Sequence, residues 1–509
     1  MQNGEDAGLK SPATFSKSSE KQIIVLLCIA AAIHVFIFSA AFPFFNNVDE
    51  PAHFDSVVKY SHGHLPNGME MISSESAIYL AFFSSCAYYG TPDKFPGHKM
   101  PSPPWTEPQE KMQQDAAANS TGWQKLQNYE TPQAPLYYVV AGLWWNLGKG
   151  LGLHDGRLLY WLRFLDIALV IAAIWLGYAA AKIIFPENLF IRLGVPTVIA
   201  FIPQTAFYSI GNDALSPVSF GITFILVVKW LRSDNPSLLQ GVAMGLAFAV
   251  TWLTKATNLP LLAIAGLAVL IKTRQLLLDG KRRTLEAFLA FIGCAALPAL
   301  AWMARCKRNF GDYTGSKAMT DFFGWTIKPF PDWWHHPIFS PYGVWTYLSG
   351  QVGTFWQGEF YWLNHPLFLP GSNLIYTGLS IILPAMVLFA VYPRTSNTTG
   401  SQERAALALS LTCFVAAVGF FALVSIIYDF HDAPNPTREH PFVREGRLML
   451  GALIPFTVTF VYGLDRLLKR LGTNAKFFIL AGMILIMVTT EVATDWPVFS
   501  NPFNWFHLP

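Results

Sequence analysis

The 509-residue chain is 52% hydrophobic and only 13% charged. Soluble proteins carry about 25% charged residues, so an ordinary water-covered enzyme is excluded, and the long apolar runs define an all-α polytopic membrane protein. A net charge of +3 spread along the chain gives nucleic acid no basic stripe, and five cysteines are too few for a disulfide scaffold.

A membrane-crossing helix needs about 20 mostly apolar residues. Residues 1–21 are polar and are expected to form a disordered cytoplasmic tail. Residues 22–45 form the first transmembrane helix, too long an apolar run for a signal-peptide core. Residues 46–156 make a large outer loop with juxtamembrane helices. Its run 135–148 (PLYYVVAGLWWNLG) is short, contains Pro135 and two Trp, and reads as a helix on the membrane surface. Helices two to seven occupy 157–305, as 157–182, 189–210, 214–231, 237–254, 257–271 and 285–305. An aromatic-rich outer loop fills 306–371. Helices eight to eleven fill 372–494, as 372–392, 405–428, 447–465 and 477–494, and 495–509 is an outer tail.

Charge supports this assignment. With the N-terminus inside, the inner segments hold 18 Lys and Arg in 76 residues, whereas the 111-residue first outer loop holds six Lys and no Arg. That is the positive-inside bias. Counting 135–148 as a span would put Lys272, Arg274, Lys281, Arg282 and Arg283 outside. The outer segments 46–156, 306–371 and 429–446 carry most of the chemistry, so function is expected on that face. Cys28, Cys294 and Cys413 lie in spans; Cys86 and Cys306 lie outside, and their spacing does not decide whether they pair.

The first span ends in FPFFNNVDEPAHFDSVVKYSHGHLPNG, which sets Asp49 and Glu50 at the outer surface. Pro51 suits the first turn of a helix with an acidic residue near its cap. A short helix through Tyr60 would bring His53 onto the face of Asp49 or Glu50. An acid before proline is also an ordinary helix start. Two adjacent carboxylates at the lip of a span must each avoid hydrocarbon, however, and that points to function.

Other ionisable groups stand at predicted outer span ends. Asp213 lies in FIPQTAFYSIGNDALSP, Lys255 in TWLTKATNLP, and Arg444, Glu445 and Arg447 before the tenth span. Each has a structural reading: Asp213 as part of a helix cap, Lys255 as a snorkelling lysine, Arg447 as an interfacial anchor or the partner of Glu445. Arg163 and Asp166, three apart, read as a structural ion pair. His62–His64 and His335–His336 lack zinc-site spacing. Residues 306–371 hold six of the seventeen Trp, suited to stack on sugar or to embed in the interface. Glu359 and His365 in that loop are acceptor-contact candidates.

A span, an acidic pair and an aromatic surface helix together resemble the start of the GT-C superfamily of membrane glycosyltransferases. The string DEPAHFDSVVKYSHGHLP is similar to bacterial GT-C-like membrane proteins and to the corresponding region of protein O-mannosyltransferases. ETPQAPLYYVVAGLWW, RLLYWLRFLDIALVIAAIWLG and FIPQTAFYSIGNDALSP resemble later family segments. REGRLMLGALIP does so more loosely, with Leu448 where the family has an aromatic. The resemblance covers 46–260 and 440–465, and 306–371 has no clear counterpart.

It implies an inverting transferase that moves a sugar from a polyprenyl-phosphate donor to a glycan, lipid or protein acceptor. The site would face outward from a bacterial cytoplasmic membrane. Asp49 would take the acceptor's proton, with Glu50 and Asp213 as further catalytic carboxylates. Lys255 and Arg447 would stabilise the leaving phosphate, and His53, Arg444, Tyr138 and Glu359 would bind substrate. No cofactor is fixed; a divalent cation, Mg²⁺ or Mn²⁺, joining Asp49 and Asp213 stays open. The alternatives are a flippase of lipid-linked glycans and a non-catalytic lipid-binding subunit. A flippase predicts ionisable groups near the bilayer midplane, where His34 is the main one.

Overall fold

A computed structural model describes residues 17–88, 90–391, 400–433 and 435–508. Most of the predicted polar tail, and residues 393–399 of the predicted inner loop 393–404, lie outside the described residues.

Helix α1 (Lys17–Ala41) is the first long apolar element. The next segment carries α2 (Glu50–Ser61), α3 (Ser74–Phe83), α4 (Gln109–Trp123) and α5 (Leu136–Gly150). Then α6 (Asp155–Arg163) and α7 (Leu165–Ile184) lead into the bundle. There follow α8 (Leu189–Ala200), α9 (Ser216–Arg232), α10 (Leu238–Thr254), α11 (Leu259–Leu278) and α12 (Arg283–Phe310). A second large segment holds α13 (Ser316–Phe322) and α14 (Pro341–Gln357). The last four are α15 (Ser372–Val391), α16 (Ser401–Ile427), α17 (Leu453–Leu467) and α18 (Thr473–Phe499). Among the described residues nine helical segments are long and apolar enough to cross a membrane, and α8 and α10 are shorter apolar helices. The protein is an all-helical integral membrane protein. Helix α5 is not one of the nine.

Packing explains several sequence choices. The apolar window of the segment Gly446–Leu467, which contains α17, is 89% buried, so this helix is apolar all round and packed within the bundle. Helix α10 starts from a capping box of Ser237 and Gln240. Its Gly241 and Gly245 press against the backbone of α12: a Cβ at either would fall 1.9 Å from the Ala287 carbonyl or 2.5 Å from that of Phe291. Small residues four apart let two membrane helices touch. His34 of α1 pairs with Glu491 of α18 at 2.8 Å, and Tyr208 donates to the same carboxylate. An ionisable group inside a span is expected to find such a partner.

The two large segments meet at one end of the bundle. Thr326–Ile327 pairs with Tyr428–Asp429, and Tyr361–Trp362 with His365–Pro366. The second hairpin leans on the first large segment, where Leu363 N donates to Ala87 O at 2.6 Å and Asn47 bridges Phe360. Trp356 is a core ring rather than a sugar or lipid platform: it is buried, stacks on Tyr376 at 5.0 Å and donates to Ser380. Trp334 is 64% exposed. Cys86 and Cys306 are both free thiols, so they do not pair.

Candidate functional site

The site begins where α1 ends. Residues 42–49 turn sharply before α2, and Arg163 at the end of α6 holds the turn. Its Nη atoms donate to the carbonyls of Ser39, Phe42 and Pro43, and its Nε and Nη2 donate to Glu50 at 2.8 and 2.9 Å. Glu50 also accepts from the backbone N–H of Phe45 and Ile210. Both side chains are essentially sealed from solvent. This corrects two expectations. Arg163 pairs with Glu50 and not with Asp166, whose carboxylate has no hydrogen-bond partner among the described residues. Glu50 is a structural anchor, because all its acceptor sites are used and it lies off the cavity wall.

Asp49 is forced into the left-handed region, at φ 65°. Asp tolerates this conformation better than most residues, yet it still costs on the order of 1 kcal/mol. Its side chain does not cap α2. It accepts instead from Tyr129 at 2.8 Å and from Arg447.

Arg447 is the hub. It stands in a 3-10 turn, Gly446–Ala452, that leads into α17. A Cβ at Gly446 would sit 2.1 Å from Phe355 N, so only glycine lets this turn lie against α14. The guanidinium donates to Asp49, to Asp213 at 3.0 Å and to Glu359 at 3.2 Å. Lys255, at the end of α10, donates to Asn212 at 2.8 Å and Asp213 at 2.5 Å. The structure thus brings Asp49, Asp213, Lys255, Arg447 and Glu359 into one network from five distant segments. Arg447 does not pair with Glu445, and Asp213 caps no helix; it sits behind the two cations.

A cavity of about 1550 Å³ opens over this network. Asp49, His53, Glu130, Lys255, Glu359, Arg444 and Arg447 line it. Arg444 packs along Gly350. Tyr138 stands behind the wall and bonds His53 Nδ1 at 2.8 Å, so it positions His53 rather than meeting a ligand. Asp213 is also off the wall, and its expected direct catalytic part becomes one of holding Lys255 and Arg447. His365 is exposed and outside the cavity.

Burial and charge set the protonation states. Burial pushes the Asp49 carboxyl up, but the Arg447 guanidinium, His53 and the two hydrogen bonds outweigh it and hold its pKa below the ordinary value. Burial takes His53 down to about 3, so its ring is neutral. Burial, with Asp49 nearby, raises Glu130 to about 8, and burial likewise raises Glu359 to about 8 against the pull of Arg447. Near neutral pH Asp49 is therefore a carboxylate, while Glu130 and Glu359 hold their protons.

Asp49, His53 and Glu130 each offer a ligand atom within 4.8 Å of the others. Glu130 Oε2 is buried without a hydrogen-bond partner, 3.7 Å from His53 Nδ1. The Asp49 carboxylate and the His53 imidazole, with Glu130 once a metal displaces its proton, fit a divalent ion. The expected pairing of Asp49 with Asp213 around a cation does not fit, because Arg447 lies between them. Glu130 and Tyr129 escaped the sequence reading. The available signal was an acid and an aromatic directly before the Pro132–Tyr138 stretch, where the long loop returns to the bundle.

Fold and site define an integral membrane protein with a charged centre at one end of a helical bundle. Residues 32–429 match the family model described as "Predicted membrane protein (DUF2142)", and the chain belongs to that family. No curated protein matches the sequence. Among solved structures it is similar to an archaeal oligosaccharyltransferase, AglB from Archaeoglobus fulgidus, in complex with an inhibitory peptide and a dolichol-phosphate. The identity is 10%, over 95% of this chain and 55% of that one, with a TM-score of 0.40. It is also similar to ArnT from Cupriavidus metallidurans bound to undecaprenyl phosphate, at 13% identity over 87% of this chain and 77% of that one, TM-score 0.33. The chain spans about half the length of AglB.

Proposed function

We propose that this protein is an inverting glycosyltransferase that moves a sugar from a polyprenyl-phosphate donor to an acceptor hydroxyl. The site faces outward from a cytoplasmic membrane, in line with the positive-inside charge pattern. The observation that carries the reading is the Arg447–Lys255 pair beside Asp49 on the wall of a large cavity. Arg has five N–H donors and Lys three. Among the described residues Arg447 uses three and Lys255 two, which leaves donors for a phosphate.

Apolar residues toward span ends, among them Trp252, Leu259, Phe420 and Phe421, also line the cavity and suit a lipid chain. A phosphate drawing on Arg447 weakens that cation's hold on Asp49, and the carboxylate becomes a better base. Asp49 then takes the acceptor's proton as the hydroxyl oxygen bonds the anomeric carbon. The bond from that carbon to the phosphate oxygen breaks, and the lipid phosphate leaves with the electron pair, stabilised by Arg447 and Lys255. A divalent ion at Asp49, His53 and Glu130 would add positive charge for the phosphate.

The test is mass spectrometry of envelope glycans and polyprenyl-linked sugars in wild type, a deletion and an Asp49→Asn strain with normal insertion. Loss of one sugar and accumulation of its lipid-linked donor in both altered strains is expected. Full rescue of the deletion by Asp49→Asn would sink the base assignment and favour the flippase.

A further inference from the structure

The cavity lining is zoned by chemistry along the chain. Its charged residues include Asp49 and Glu359, both bonded to Arg447, and apolar span-end residues line it as well. A further part of the lining comes from the loop 84–95 and the hairpin region 360–373, and the lining residues there are uncharged. They include the hydroxyls of Ser84 and Ser85, the amides of Asn364 and Asn373, and the rings of Phe95, Tyr88 and Tyr361. The Tyr88 and Tyr361 rings lie 5.6 Å apart, tilted by 55°.

From this zoning, and resting on the transferase reading, we infer that the acceptor is a neutral carbohydrate, bound against the 84–95 and 360–373 wall with one hydroxyl turned toward Asp49. Three features carry this. First, sugars present apolar C–H faces that pack on aromatic rings and hydroxyls that bond short amides and hydroxyls; this wall offers both. Second, an anionic acceptor, such as a phosphorylated glycolipid or an acidic polysaccharide, would leave its charge facing uncharged groups, a costly arrangement away from water. Third, an extended peptide acceptor needs backbone partners, and the hairpin's backbone is largely spent. Tyr361 and Trp362 pair with Pro366 and His365. Leu363 N and Asn364 N donate to Ala87 O and Tyr88 O, and Leu367 N donates to Phe360 O. The wall is joined to the charged centre at both ends: Glu359, two residues before Tyr361, bonds Arg447, and Asn47, two residues before Asp49, bridges Phe360.

The experiment uses the full chain in lipid nanodiscs. Fluorescently labelled probes are neutral hexose and N-acetylhexosamine oligosaccharides, uronic-acid oligosaccharides, and Ser/Thr peptides, with binding read by polarisation. A parallel assay follows consumption of a panel of polyprenyl-phosphate hexoses. Neutral oligosaccharides are expected to bind, and Tyr361→Ala and Phe95→Ala, on two separate segments, each to weaken them about tenfold. Trp334→Ala, a ring outside the cavity, should change nothing. Binding of uronic-acid probes or peptides alone, binding of no probe, or full neutral-sugar affinity in both ring variants would overturn the inference. Turnover onto an acidic or peptide acceptor would keep the transferase and refute the neutral acceptor. Ring-dependent neutral-sugar binding with no donor consumed would refute the transferase and keep the carbohydrate site.

Discussion

Asp49 and Glu50 are neighbours in sequence, and each meets an arginine, yet the two ion-pair networks differ in kind. Around Glu50 the accounts close. Arg163 spends all five N–H donors, on Glu50 and three carbonyls. Glu50 fills its acceptor sites with Arg163 and two backbone N–H groups. Around Asp49 they do not close. Among the described residues Arg447 has donors left, Glu359 Oε1 and Glu130 Oε2 are buried without hydrogen-bond partners, and the network borders a cavity. A saturated buried pair fixes shape. An unsaturated one beside a cavity retains capacity for a ligand. The two are coupled, since the Arg163–Glu50 clamp holds the turn that sets the left-handed Asp49.

The largest effects should separate the two networks. Asp49→Asn keeps the shape of the side chain and removes the proposed base, so turnover should drop about 10²–10⁴-fold with normal thermal unfolding in detergent. Glu50→Ala strands a buried guanidinium, and breaking such a pair costs about 3–5 kcal/mol. It should therefore lower folded yield and unfolding temperature, with turnover falling as the folded fraction does. A well-folded, inactive Glu50→Ala protein would reverse the assignment of the two acids.

Lys255→Met should come next. Asp213 keeps Arg447, so the network survives, but one of the two proposed phosphate-binding side chains is gone. The expected change is about tenfold weaker donor binding, roughly 1.4 kcal/mol, measured as KM with kcat less affected. An unchanged KM would return Lys255 to the role of anchor.

What the sequence reveals follows the same division. A charge in an apolar span is costly, so Asp49, Lys255 and Arg447 stand out at span ends without any knowledge of contacts. The helices are visible for the same reason, through long apolar runs such as 22–45 and 477–494. Partner choice is hidden. Nothing local in DEP says that Asp49 turns to a residue 398 positions away and Glu50 to one 113 away. Glu130 is hidden because the 62–135 stretch has no apolar period, so no face can be assigned to it. Asp166 was paired with Arg163 by helical spacing alone, yet the closer demand of Glu50 and the turn carbonyls takes that guanidinium.

Smaller effects sharpen the contrast through pH. Glu359 holds its proton to about pH 8, whereas an unfolded glutamate loses it near 4.5. Between those values the folded state binds a proton that the unfolded state releases, so this residue's contribution to stability falls as pH rises through the window. Glu359→Gln should flatten that slope, and an unchanged slope between pH 5 and 8 would show that Glu359 is already ionised.

The smallest predicted effect is also the most direct probe of Asp49. Tyr129 donates one hydrogen bond to its carboxylate, which favours the charged form. Tyr129→Phe removes that bond and keeps the ring contacts with Phe322 and Phe323. The loss of one such bond is about 1 kcal/mol, and its sign is fixed: the Asp49 pKa must rise. The acid limb of the pH–rate profile should therefore move to higher pH, by less than about one unit. If Asp49 is the base, the shift appears in that limb and vanishes in Asp49→Asn. A loss of rate at every pH with no movement of the limb would mean that Tyr129 supports the wall and that another group takes the proton. Glu130, one residue along, would then be the first to examine.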